Sequence, residues 1–247
     1  MCGRFALDSR SGEFLDQLIA DHIVYAVNKP EEFVPRYNIK PSNRVATILH
    51  SSKMDSMVLA SARWGYVPNW AASISDAPRT TFNARSESAM NRESDGRASM
   101  WRTPLTNGRR CIIPATGYYE WTGPKKARIP HWIYPADTTM GFAGLYNWWT
   151  NPALPSHDPQ RMTLTATMLT MPSVAHLAHI HDRNPLALPV DAWWLWLDPH
   201  ASGSQELVDA MVERSQPLMS QLLEYEVAPL GAQGDGPVLI HPVHAAG

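Results

Sequence analysis

CIIPATGYYEW, residues 111–121, is a β-rich run with Pro114 and Gly117 set inside it. It has company. RVATILH (44–50) and SMVLASARWG (56–65) flank a polar turn, and HWIYPA (131–136), MGFAGLYNWW (140–149) and RMTLTATMLT (161–170) repeat the pattern. Each run is bounded by Pro, Gly or Asn, as strands are. The chain holds 21 prolines, which suits many short strands joined by fixed turns. Helical spacing appears in Ser11 to His22, where Phe14, Leu15, Leu18 and Ile19 recur behind a serine able to cap them. It returns around Ala98 to Leu105 and Ser204 to Arg214, and LLEYEVAP (222–229) reads as a last strand. Strands and helices mix without a regular βαβ alternation. The pattern predicts an α+β fold, a single domain over residues 2–230 with a mainly antiparallel, barrel-like β-sheet flanked by short helices. Residues 231–247, GAQGDGPVLIHPVHAAG, read as a flexible C-terminal tail.

At 247 residues and 44% hydrophobic, with 10 Trp and 8 Tyr, the chain can bury a sizeable core. A formal net charge of -2 gives no global signature of a nucleic-acid or membrane binder. Local charge differs. Residues 79–128 hold ten Lys and Arg against four acids, whereas 184–247 hold one Arg against eight acids. The middle stretch could present a basic face, or its arginines could simply solvate helices and loops. Cys2 and Cys111 lie in unlike contexts and make no disulfide framework. MCGR is not followed by a basic and then apolar leader, and no run approaches a membrane span, so the expected address is the cytoplasm, with no membrane partner.

Cys2 poses the chemical question. Removal of Met1 is favoured when a small side chain follows, and it would leave a free α-amine and a thiol on one carbon. An α-amine has a pKa near 7.7 to 8.0 against about 10.4 for lysine, so at neutral pH its nucleophilic form is roughly 400-fold more abundant. Such an amine attacks an aldehyde to give a Schiff base, and the adjacent thiol can close onto the imine carbon as a thiazolidine. The plainer reading makes Cys2 a small residue under a sheet edge. Three stretches weigh against that reading. TFNARSES places Asn83, Arg85 and Glu87 in one polar run, GYYEW embeds Glu120 among aromatic residues, and HLAHIHDR carries His176, His179, His181, Asp182 and Arg183. A carboxyl between Tyr119 and Trp121 is expected to lose solvent and gain a raised pKa, fitting it for acid–base work; alone, it reads equally well as an exposed strand residue. Three histidines suggest zinc, yet no cysteine lies near and His181 falls beyond a short helix at 172–180, so no metal and no cofactor are expected.

MCGRF, RYNIKPS, RWGYVPNW, FNARSES, CIIPATGYYEW and IHDRNPLAL, in that order, resemble the SOS-response-associated peptidase (SRAP) family, which shields abasic sites in single-stranded DNA. The resemblance runs from Cys2 to about Leu188 and more weakly to about Pro229. It implies a thiol autopeptidase that removes its own Met1, and a thiazolidine between Cys2 and the ring-open aldehyde of an abasic site, with a lyase step at the same site. By motif it assigns hydrogen bonding to Asn83, acid–base work to Glu120, and sugar ring opening with proton transfer to His181. Arg4, Arg85 and Arg183 would hold phosphates, and Pro41, Trp64, Trp121 and Thr170 would line the DNA groove. Arginine forks suit phosphate oxygens, and aromatic faces stack on bases without reading sequence. Two features depart from the family pattern: Asn184 replaces the apolar residue usual after HDR, and the stretch from Ala20 to Val34 is long. Two other readings stay open at this point: an N-terminal-nucleophile thiol hydrolase acting on a small amide or peptide, and a non-catalytic binder of single strands.

Overall fold

The computed structural model describes residues 2–8, 10–20, 24, 26–27, 34–91, 96, 98–136, 139–231 and 234–243. The chain begins with β1 (Arg4–Leu7), α1 (Arg10–Ala20), β2 (Ala26–Val27), β3 (Arg36–Ile39), β4 (Arg44–Ser51) and β5 (Ser56–Trp64). Next come β6 (Asn83–Arg85), α2 (Arg102–Thr106), β7 (Arg110–Ala115), β8 (Gly117–Thr122), β9 (Ile129–Tyr134), β10 (Met140–Thr150) and β11 (Met162–Pro172). The last are β12 (Arg183–Pro185), β13 (Ala187–Leu188), α3 (Val190–Leu197), α4 (Gln205–Met219) and β14 (Leu223–Glu226).

The run 111–121 is the crossover between two sheets. It breaks at Thr116, whose hydroxyl donates to Ala6 O and accepts the N–H of Asp8, pinning the bend to β1. Gly117 follows because a Cβ there would meet the Trp132 ring at 2.3 Å. Upstream of the bend, β7 joins a larger sheet in the order β11-β10-β7-β4-β5, which closes into a five-stranded barrel because β11 also pairs with β5. That closure is parallel and short, with Thr165 opposite Arg63 and Ala166 opposite Trp64. Downstream, β8 enters a five-stranded sheet ordered β14-β9-β8-β1-β3. The barrel-like, mainly antiparallel α+β expectation holds.

One apolar cluster spans both sheets, from Phe5 and Tyr118 to Phe142, Trp193 and Trp196. Its aromatic rings meet edge to face: Phe5 lies 5.1 Å from Trp64 and 5.7 Å from Phe142. α3 was missed by periodicity because VDAWWLWL is apolar almost throughout, although Trp193 and Trp196 are buried while Trp194 and Leu195 face out. α4 is capped by Ser204, whose hydroxyl accepts the N–H of Leu207.

Three expectations change. The stretch after Gly231 is packed where described: Asp235 accepts the N–H of Tyr37 at 2.5 Å, Asn38 donates to Gly234 O at 2.7 Å, and Val243 donates to Glu226 O at 3.0 Å. Asp235 thus caps the open edge of β3, and the tail is a strap, its last four residues lying outside the description. The helix expected at 172–180 shrinks to a 3₁₀ turn at Ala175–Leu177. The described arginines of 79–128 do not all share one face, since Arg110 is 1% exposed and donates to four backbone carbonyls around α2 and α3. Most of the long stretch Ala20 to Val34 lies outside the described residues.

Candidate active site

Cys2 sits just before β1 and is fully buried. Its carbonyl accepts the Asn83 side-chain N–H at 2.8 Å, and its thiol leans on Arg4 O at 3.5 Å. Burial pushes the thiol well above its ordinary pKa, and the neighbouring charge of Glu120 adds to the effect. Asn83 arrives from β6, which lies parallel on β11 with Asn83 opposite Met168. Its Oδ1 is buried with no hydrogen-bond partner among the described residues. An acceptor is therefore held in reserve beside Cys2.

Glu120 comes from β8 and is 3% exposed. Burial pushes its carboxyl up to about 7, opposed among others by the Trp121 N–H and the charge of Arg128. His181 follows the 3₁₀ turn; burial lowers its pKa more than Asp182 raises it. Its Nδ1 accepts the Arg183 backbone N–H at 3.0 Å, with Asp182 Oδ1 at 2.8 Å. A neutral imidazole beside a carboxyl that titrates near neutrality is a competent proton-transfer pair.

Arg4, Glu120, Trp121, Arg128 and His181 line one cleft of about 460 Å³. The guanidinium of Arg4 lies 5.8 Å from the Trp121 ring centre and donates to Asn38 Oδ1 and Gly231 O, both at 3.2 Å. The structure thus gathers Cys2, Asn83, Glu120, His181, Arg4 and Trp121. Arg128, which sequence reasoning passed over, joins them from the start of β9; only its place in the local basic excess hinted at it.

The remaining expected residues divide. Arg85 is exposed at the end of β6. Pro41 and Trp64 belong to a second groove of about 800 Å³, shared with Arg63, Arg79 and Phe82. Trp64 itself is 0% exposed, donating from Nε1 to Phe82 O at 2.8 Å, so it floors that groove and offers no face to a base. Trp70 in the same RWGYVPNW motif is 65% exposed. Thr170 is fully buried and Arg183 is 7% exposed, so neither lines an open groove. Both ends of the Arg183 fork close on Glu87, and its Nη2 also reaches Thr170 O at 2.7 Å. Burial alone would raise the Glu87 carboxyl, but the bonds and charge of Arg183 hold it below the usual range. His176 and His179 turn to Leu222 O and His176 O, and no group of three metal-ligand side chains forms among the described residues.

The model of the family described as "SOS response associated peptidase (SRAP)" matches residues 1–229. The abasic site processing protein YoqW of Bacillus subtilis is 33% identical over 202 residues, covering 81% of each chain. The abasic site processing protein YedK of Escherichia coli is 30% identical over 207 residues, covering 83% of each. Among solved structures, a Bacteroides thetaiotaomicron protein superposes with a TM-score of 0.67 at 21% identity over 92% of both chains. A phage-related protein of Bordetella bronchiseptica gives 0.63 at 26%, over 92% of this chain and 95% of its own. With six ordered motifs, a closed barrel and a cysteine clamped beside a buried glutamate all in place, the chain belongs to the SOS response associated peptidase family of abasic site processing proteins.

Proposed function

We propose that this protein captures abasic sites in single-stranded DNA by joining Cys2 to the sugar aldehyde as a thiazolidine, after removing its own Met1. The observation that carries the reading is the convergence of Asn83 and the raised carboxyl of Glu120 on Cys2. In this chain the Cys2 nitrogen lies in the peptide bond from Met1. Hydrolysis of that bond, with Glu120 as the general base, consumes one water and frees the amine. Asn83 keeps hold of the Cys2 carbonyl, and its reserved Oδ1 accepts an N–H of the new amine.

His181 takes the hydroxyl proton that opens the sugar ring. The amine then adds to the aldehyde carbon, and Glu120 in its protonated form delivers the proton that lets the carbinolamine hydroxyl leave as water. The Cys2 sulfur adds to the imine carbon, its proton ending on nitrogen. The net change on crosslinking is the loss of one water. Arg4, Arg85 and Arg128 supply positive charge to the strand, and Trp121 with Pro41 supplies apolar surface, while Trp64, Thr170 and Arg183 brace the walls from behind.

The test mixes purified protein with an oligonucleotide bearing one abasic site, followed by a denaturing gel and intact mass. An adduct at the combined mass less one water, on a chain lacking Met1, is expected. A chain that has lost Met1 and stays unlinked would overturn the reading in favour of a thiol hydrolase of small amides.

A further inference from the structure

The strap begins just past residue 229, where the family match ends, and it reaches the cleft. Leu230 lines that cleft beside Arg4, Glu120 and Trp121. Beyond Leu230 the strap is anchored at two places. Toward its far end Val243 donates to Glu226 O at 3.0 Å and the Tyr225 hydroxyl donates to Ile240 O at 2.5 Å, while Leu230 and Ile240 pack on the cluster of Tyr119 and Trp132. Nearer its start Asp235 accepts the N–H of Tyr37 at 2.5 Å, and its other oxygen lies 3.5 Å from Arg36 Nε.

Asn38, buried on β3, joins the strap to Arg4. Its Nδ2 donates to Gly234 O at 2.7 Å and to Gly231 O at 3.4 Å. Backbone carbonyls only accept, so the amide has one orientation and its other end is the acceptor. That end, Oδ1, takes a hydrogen from Arg4 Nη1 at 3.2 Å. The same nitrogen donates to Gly231 O at 3.2 Å and faces Leu230 O at 3.4 Å. One end of the guanidinium is thus held by three oxygens, two of them from the strap, with the Trp121 ring centre 5.8 Å from its carbon. The remaining fork, Nε with Nη2, makes no hydrogen bond to any described residue. Such a fork matches two oxygens of one phosphate.

We propose that the strap is a positioning element for Arg4: Asn38 and the carbonyls of Leu230 and Gly231 fix the Nη1 end of the guanidinium, which presets the Nε–Nη2 fork for a phosphate beside the abasic sugar. The inference rests on the DNA reading of the cleft and names the part of the chain that prepares Arg4 for the strand. A loose arginine gives up rotamer freedom when it closes on a phosphate, whereas a held one has already done so during folding, and affinity rises without a new contact. Asp235 acts at one remove. It bonds to β3 and not to Arg4, and it is absent from the cleft lining, yet it clamps the segment whose carbonyls hold the guanidinium.

The experiment measures affinity for an oligonucleotide carrying a tetrahydrofuran analogue of the abasic site, with a thermal melt to check each fold. Asp235→Ala is expected to bind about fivefold more weakly than wild type, and Asn38→Ala, which removes the bridge but keeps the clamp, to match it. Asp235→Asn retains an oxygen for the Tyr37 N–H and loses only the charge, so it should bind as wild type does. In an Arg4→Ala background Asp235→Ala should cost nothing further. Wild-type affinity in both alanine variants, an equal loss in Asp235→Asn, or the same loss without Arg4 would each overturn the proposal. A second readout needs no DNA: nitrogen relaxation of the Arg4 Nε–H, assigned by its absence in Arg4→Lys, should report a rigid side chain in wild type and a mobile one in Asp235→Ala, and equal mobility would overturn the proposal. Glycolaldehyde, an aldehyde without phosphate, separates this claim from the DNA reading. If wild type forms the glycolaldehyde adduct but ignores abasic DNA, the DNA reading fails, and the relaxation measurement still decides whether the strap holds Arg4.

Discussion

Cys2 and Cys111 are both fully buried thiols, and both have a pKa pushed up by burial. Their surroundings differ. Cys111 lies in β7 within the barrel, opposite Leu49 and Gly144, where a Cβ on residue 144 would come within 2.9 Å of its sulfur. Loss of solvent alone raises its pKa. Cys2 is held by Asn83, with Glu120 and Tyr118 as charged or ionisable neighbours. Burial alone makes a thiol inert. What sets Cys2 apart from Cys111 is that polar groups from both sheets meet it, Asn83 from β6 on the larger sheet and Glu120 from β8 on the smaller one, whereas burial alone acts on Cys111.

The contrast is tested most severely by alanine at each cysteine. Cys2→Ala is expected to abolish the denaturation-resistant adduct completely while binding survives, and Cys111→Ala to keep it; a folded Cys111→Ala protein that fails to crosslink would break the comparison. Glu120→Gln and His181→Ala are each expected to slow single-turnover crosslinking about 100-fold.

Glu120 also links the site to stability. Its folded pKa of about 7 exceeds the ordinary 4.5, so between those values the folded state holds more protons than the unfolded chain. Wild-type stability therefore falls as pH rises from about 4.5 to about 7. Glu120→Gln should remove that fall and melt roughly 10 °C above wild type at pH 8, with little difference at pH 4.5. Equal melting at both pH values would show that Glu120 is not desolvated. The smallest effect is expected outside the site. Arg85→Ala should reduce the salt slope of single-strand binding by about 0.7 without changing the crosslinking rate of bound DNA.

The barrel strands were legible because alternating apolar runs met Pro, Gly and Asn at their ends. α3 was not, since a helix apolar on nearly every side carries no period. The strap was misread because glycine-rich composition says nothing of Asp235, whose carboxylate finds the free N–H of Tyr37 nearly two hundred residues away. At the site, Cys2, Asn83, Glu120 and His181 could be named from motifs, but their burial could not. RWGYVPNW holds two tryptophans, and sequence cannot say which one β5 turns inward. Arg183 reads as a phosphate ligand until Glu87, distant in sequence, is seen to fill its fork. The departure at Asn184 could not be interpreted from the sequence, because its partner Tyr118 lies on another strand.

The short parallel pairing that closes the barrel also has a mechanical consequence. Arg63 and Trp64 form that seam and also border the larger groove, where Gly65 donates to Ala166 O at 2.8 Å and Val67 to the Thr165 hydroxyl at 3.2 Å. Within the barrel wall a pairing of so few rungs is expected to open before the longer antiparallel ones, so its amides should exchange with solvent ahead of theirs. Any strand seated across the groove would act as a staple over the seam, so occupancy would register as slowed exchange deep in the barrel wall, away from the atoms that react.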